Sequence, residues 1–67
     1  MKNYKFTYTV RDRYDPQPWS PILRIVIAAP TENGARKHLL MNHQHDEIVI
    51  YSCVETDEEA HEESAFW

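Results

Sequence analysis

The sequence predicts a small α+β domain in which one helix packs on a three-stranded antiparallel sheet with strand order 2-1-3. Three observations predict this class: a strictly alternating segment near the start, two further apolar segments, and a helical pattern between those two. A chain of 67 residues buries roughly 60% of the surface that its unfolded form exposes, so it supports about one layer of helix on one sheet. We therefore expect a single β-β-α-β domain over residues 1–55, followed by an acidic tail or short helix over residues 56–67.

The first strand is predicted over residues 4–11, where an apolar or aromatic side chain alternates with a polar one. A period of two, rich in aromatic and β-branched residues, indicates a strand with one buried face and one solvated face. Residues 12–21 contain three prolines, which remove backbone donors and restrict the preceding residues. We expect a stiff loop there, carrying Tyr14 and Trp19.

The second strand, residues 22–28, is apolar on both faces apart from Arg24. Thr31 then favours a helix start, the helical pattern continues to Asn42, and residues 48–54 form a third alternating strand. The helix provides a crossover that makes strands 2 and 3 parallel, with strand 1 antiparallel between them. This order leaves strand 2 as an apolar edge with Ile22 and Val26 outward. Such an edge predicts a strand-paired homodimer, a partner, or cover by the loop or the C-terminal segment.

Charge is distributed unevenly along the chain. Residues 1–54 carry all seven basic residues against five acids, whereas residues 55–67 carry six acids and no Lys or Arg. The acidic segment predicts either a solvated end or a surface that fits a basic groove. The terminal Phe66 and Trp67 favour contact with a partner, or equally they fold back over the small core. This distribution argues against direct nucleic-acid binding. A nucleic-acid-binding regulator stays as a second alternative, and it would use Lys2, Lys5, Arg11 and Arg13.

The sequence shows no pattern typical of a catalytic site. Cys53 lies in an apolar strand, no serine lies in a nucleophile motif, and the single glycine excludes phosphate-binding loops. We expect neither an enzyme nor a cofactor. The first alternative is a metal-binding module, because His43 and His45 flank one residue and could join Asp46 or His61 around zinc or nickel.

The chain is also expected to be cytoplasmic. No cationic region precedes a long apolar stretch, and the longest apolar segment, residues 22–29, falls far short of the ~20 residues that span a bilayer. The single cysteine, Cys53, has no partner for an internal disulfide.

Where the second strand passes into the helix, the sequence has Ala28, Ala29, Thr31 and Ala35 at a characteristic spacing. With these residues, residues 4–54 resemble small accessory proteins of bacteriophages and other mobile elements, including several type I anti-CRISPR proteins. The resemblance implies a small host-directed inhibitor that binds a host complex.

From these observations we expect a non-enzymatic protein-binding module that occupies a surface of a host protein or complex. Nothing in the sequence predicts contact with a membrane. The residues expected to bind the partner are aromatic, apolar-edge and acidic ones: Tyr14, Trp19, Ile22, Val26, Glu58, Glu59, Glu62, Glu63 and Trp67.

Overall fold

The structure is a computed structural model that describes residues 1–15 and 17–65, with residues 62–65 described by their backbone alone. Over these residues the elements are β1 (Lys2–Asp12), β2 (Leu23–Ala29), α1 (Glu32–Asn42), β3 (Asp46–Thr56) and β4 (His61–Ala65). The strands form one sheet in the order β3-β1-β2-β4, and every neighbouring pair is antiparallel.

The predicted three-stranded unit is confirmed. β1 lies between β2 and β3, with Tyr8 opposite Leu23 on one side and opposite Ile50 on the other. The helix connects β2 to β3 across one face of the sheet, as the crossover between two parallel strands requires.

The C-terminal segment adds a fourth strand, where the sequence predicted a tail or short helix. β4 pairs with β2, with Ala65 opposite Leu23 and His61 opposite Val26. The Thr56 hydroxyl accepts a hydrogen bond from the Glu58 amide, which closes a turn after β3 instead of capping a helix. Pairing with β4 satisfies backbone N–H and C=O groups of β2 that would otherwise be left at an unpaired strand edge.

This pairing also corrects the prediction that β2 is an edge strand. Val26, expected on an outward surface, is only 2% exposed, and it lies between Lys5 of β1 and His61 of β4. β4 pairs with residues 23–26 of β2, so of the alternatives for this edge the structure shows cover by the C-terminal segment. A role of Val26 in partner binding and a homodimer through β2 stay predictions.

The core lies between α1 and the sheet. Every second side chain of β1 points into this core. Phe6 and Tyr8 on β1 and Leu39 on α1 are fully buried. The other buried members of this cluster are Tyr4, Ile25, Ile27, Ala29 and Ala35. α1 packs on one face of the sheet. Among the described residues, no helix or second sheet packs on the opposite face.

Both ends of α1 are hydrogen-bonded. The Thr31 side chain accepts from the Gly34 amide at 3.1 Å, so the predicted N-cap is confirmed. At the other end the His43 amide donates to the Leu40 carbonyl, and the Asp46 amide donates to the His43 carbonyl. These two bonds turn the chain directly into β3. In the part of the chain that is described, no helix is long and apolar enough to cross a membrane.

Candidate functional site

The candidate site is the sheet face that points away from α1, which we call the open face. On β1 it comprises the residues that alternate with Phe6 and Tyr8, and the strand register adds the residues of β3 opposite them. The members are Lys5, Thr7, Thr9 and Arg11 on β1, Glu47, Val49, Ser52 and Val54 on β3, and by the same register Arg24 and Val26 on β2. Trp19 covers one end of this face, and residues 57–60 cross the other end.

The loop after β1 folds back and fixes Trp19 against the sheet. The Ser20 amide donates to the Val10 carbonyl at 2.8 Å, and the Val10 amide donates to the Ser20 hydroxyl at 3.0 Å. The Thr9 hydroxyl also donates to the Ser20 carbonyl at 2.8 Å. With Ser20 held by three bonds, the adjoining Trp19 has little freedom to leave the face.

Trp19 stacks on a charged side chain that is itself anchored. The Arg11 guanidinium carbon lies 4.5 Å from the centre of the Trp19 ring, which is within the range of a cation–π contact. Arg11 also forms an ion pair with Glu47 on the neighbouring strand. The indole nevertheless remains 40% exposed, so it presents a large, preorganised aromatic surface to solvent.

Apolar side chains continue this surface along β3. Val49 lies opposite Thr9 and Val54 lies opposite Lys5, and both valines are about half exposed. Between them the register shifts, and Tyr51 is the extra residue of the resulting β-bulge. The open face thus combines an aromatic end with two exposed valines.

At the other end of the open face, residues 57–60 carry the chain from β3 across β1 and β2 to β4. Glu58 fastens this crossing: its carboxylate accepts from the Lys5 ammonium at 2.8 Å, and its carbonyl accepts from the Asn3 amide group at 2.8 Å. The hydrogen bond from Lys5 lowers the pKa of Glu58 below its ordinary value. Glu58, predicted to bind a partner, therefore has a structural role within the fold.

The other predicted partner-binding residues fall into separate places. Tyr14 is exposed beyond the end of β1, where its ring lies beside that of His45. Ile22 is about 40% exposed just before β2, and Glu59 is exposed in the crossing. The side chains of Glu62 and Glu63, and all of Trp67, lie outside the described residues.

The cations proposed for nucleic-acid binding are all engaged by acidic or carbonyl groups. Lys2 pairs with Glu55 at 3.4 Å, and Lys5 and Arg11 have the carboxylate partners given above. Arg13 donates to the Asp46 carbonyl at 3.1 Å. Each of the four cations therefore lies beside an acidic or carbonyl oxygen, which reduces the positive potential that this surface presents to phosphate. The nucleic-acid-binding alternative stays a prediction.

The histidines proposed as metal ligands do not converge. His43 Nδ1 lies 2.8 Å from an Asp46 carboxylate oxygen, and its ring packs edge-on against Tyr8 with the ring centres 5.8 Å apart. His45 lies beside Tyr14. Among the described residues, no group of three His, Cys, Asp or Glu side chains could hold a metal ion.

One groove lies on the opposite side of β2 from β1. It measures about 350 Å³ and is lined mostly by apolar residues, together with two imidazoles and an amide. The lining residues are Ile25, Val26, Ile27, Ala28, His38, Asn42, Ala60 and His61. Among the side chains that the structure describes, no serine, cysteine or carboxylate lines this groove.

Sequence reasoning identified Trp19 but missed its surroundings on the open face. The alternation within residues 48–54 places Val49 on the face opposite to Ile48 and Ile50. This sequence pattern therefore indicated that Val49 would be exposed. The stacking of Arg11 on Trp19 depends on the loop returning to β1, and no local pattern encodes that contact.

No protein-family model matches the chain, and neither a curated protein nor a solved structure shows significant similarity to it. The resemblance to anti-CRISPR proteins accordingly stays a prediction.

Proposed function

We propose that the chain is a small, non-enzymatic protein-binding module that covers part of a larger protein with its open face. The observation that carries this proposal is the preorganised Trp19, which is stacked on Arg11 at one end of the face that also exposes Val49 and Val54. Exposed apolar surface grouped on one face of a small domain is typical of protein interaction sites.

The residue types of the open face support this assignment. Tryptophan and arginine are enriched among interface residues that contribute most to binding, and here the two lie in direct contact. Because the loop hydrogen bonds hold Ser20 next to β1, a partner need not order Trp19 on binding. Less conformational entropy is then lost in forming the complex.

The acidic residues of the crossing, at one end of the open face, favour a basic partner surface at that end. Asp57 and Glu59 are exposed in the crossing beside Glu58, and no Lys or Arg follows Lys37 in the chain. A complementary basic surface on the partner would raise the rate of association and fix its orientation. A host complex that binds nucleic acid has such a surface, so we extend the proposal to inhibition of a host complex in the cytoplasm.

The chemistry of the described side chains supports a role without catalysis. Burial, followed by the nearby Glu32 carboxylate, raises the pKa of the Cys53 thiol, so the reactive thiolate is disfavoured. Ser20 uses its hydroxyl to hold the loop. Neither side chain is prepared to act as a nucleophile.

The proposal is tested by affinity capture from extract of the native host with immobilised wild-type protein, followed by titration of the captured partner. Trp19→Ala should weaken binding about thirtyfold, as expected when about 2 kcal/mol of interface energy is lost. Tyr14→Ala is the matched control, because Tyr14 is an aromatic residue of the same loop that lies away from the open face.

A second variant keeps the test independent of Trp19 alone. Val49→Lys places a charge on the exposed centre of the open face and should also weaken binding, while circular dichroism verifies that the variant folds. Equal affinity of wild type, Trp19→Ala and Val49→Lys for the same partner would reject the open face as the binding surface.

A further inference from the structure

The outer edge of β3 is the longest unpaired strand edge in the described part of the chain. β3 spans 11 residues, and among the described residues it has a neighbour, β1, on one side only. The opposite edge of the sheet is formed by β4, which spans 5 residues. Alternate backbone N–H and C=O groups of β3 therefore point away from the sheet, available to another strand.

This edge carries few of the features that protect edge strands from pairing. Protected edges commonly contain proline or lysine, or are very short. β3 contains no proline, lysine or glycine, and its exposed Val49, Tyr51 and Val54 are strand-forming residues. Its protective features are the β-bulge at Tyr51, which still leaves residues 52–56 in register with β1, and the acidic residues at the two ends of the strand.

The charges of β3 lie at its two ends. Asp46 and Glu47 begin the strand and Glu55 lies near its end, while residues 48–54 carry no charge. Glu47 and Glu55 remain about half exposed despite their ion pairs with β1. An added strand would match this edge best with an apolar centre and a basic residue at each end.

We propose that β3 binds an extended segment of the partner by strand addition, and that this segment has an apolar centre and Lys or Arg at both ends. The inference rests on the proposed protein-binding function and specifies how the partner is held. Backbone hydrogen bonds to β3 supply affinity, and alternate side chains of the added strand supply specificity. On the open face those side chains would lie next to Val49 and Val54; on the other face they would extend the core beside Ile48 and Ile50.

A second copy of this chain fits the same edge poorly in the register that pairs β3 over its full length. Antiparallel pairing of β3 with itself, centred on Tyr51, places Glu47 of each copy opposite Glu55 of the other. Like charges directly opposite each other destabilise a strand pair, and each copy carries a net charge of −4. The charges therefore favour a basic segment from another protein.

The test uses the wild-type protein and a synthetic peptide as the probe. The peptide has alternating valine and threonine residues matching the length of residues 48–54, one lysine at each end and blocked termini. Amide hydrogen exchange measured by NMR reports each residue of β3 separately. We expect saturating peptide to protect the outward amides of β3, which exchange rapidly in the free protein.

Two controls separate strand addition from other binding. Replacing both lysines of the peptide by glutamate should weaken binding about tenfold or more, since attraction becomes repulsion at both ends. Glu55→Gln should weaken binding of the lysine peptide, whereas Glu59→Gln, which changes an acid outside β3, should have little effect.

Three results would overturn the inference. The first is peptide binding that leaves the β3 amides unprotected, and the second is absence of peptide binding at millimolar concentration. The third is protection of β3 that grows with protein concentration without peptide, which would identify a second copy as the occupant. The open face is judged separately by Trp19→Ala, so strand addition can fail while the proposed function stands.

Discussion

Leu39 provides the most demanding test of the architecture, because it is fully buried between α1 and the sheet. Leu39→Ala removes buried methyl groups and leaves a cavity, which typically costs about 3 kcal/mol. A domain of 67 residues has a total free energy of unfolding of about 3–10 kcal/mol. The substitution therefore removes a large share of the stability and should lower the melting temperature by about 12–24 °C.

The adjacent Leu40 is a matched control, since it lies on the same helix and is 43% exposed. Leu40→Ala should change the free energy of unfolding by no more than about 0.5 kcal/mol, partly offset by the higher helix propensity of alanine. Urea unfolding followed by circular dichroism measures both variants. If the two substitutions cost the same, or if Leu39→Ala costs less than about 1 kcal/mol, α1 does not pack on the sheet as described.

Three further predictions concern local interactions. The contact with Lys5 lowers the pKa of Glu58 in the folded protein. This contact therefore stabilises the fold fully at pH values above the ordinary carboxyl pKa of about 4.3. The stabilisation is lost as the pH falls through the lower pKa of the folded state. The difference in urea midpoint between wild type and Glu58→Gln should therefore shrink between pH 6 and pH 3, and a constant difference would contradict the assigned cause. Thr31→Ala removes the N-cap of α1 and should cost about 1 kcal/mol by urea unfolding; a loss below about 0.3 kcal/mol would show that the cap contributes little. The raised pKa of Cys53 predicts that iodoacetamide alkylates the folded protein at pH 7 more slowly than it alkylates a free thiol such as glutathione, and an equal rate would disprove the protection.

Much of the fold follows from local patterns in the sequence. The alternation of residues 4–11 identified β1 and the face that packs against α1, because a period of two sends successive side chains to opposite sides of a sheet. The Thr31 cap and the apolar stripe of the helix were equally local signals. The strand order 2-1-3 followed from the requirement that a helix crossover joins parallel strands.

The fourth strand could not be predicted in this way. Residues 61–65 are polar and acidic apart from Ala65, and such a segment has no intrinsic preference for a strand. It pairs because β2 offers an edge at the right distance, and Glu58 holds the crossing that brings it there. The predicted exposure of Val26 was also wrong.

The candidate site was also only partly predictable. Trp19 stood out as an aromatic residue in a proline-rich loop, but its position over Arg11 depends on the hydrogen bonds of Ser20 to β1. The proposed nucleic-acid contacts of Lys2 and Lys5 were plausible from the sequence alone. Folding brought acids from residues 55–58 against both lysines.

By itself, the sequence determined which segments form α1 and the first three strands, because those choices depend on side-chain periodicity between near neighbours. The tertiary structure decided which surfaces remain available: it covered β2 with β4, paired the cations of β1 with acids, and left the open face and the edge of β3 accessible. These outcomes depend on contacts between residues far apart in the chain. Residues that are far apart in the chain come into contact only when the complete sheet has formed.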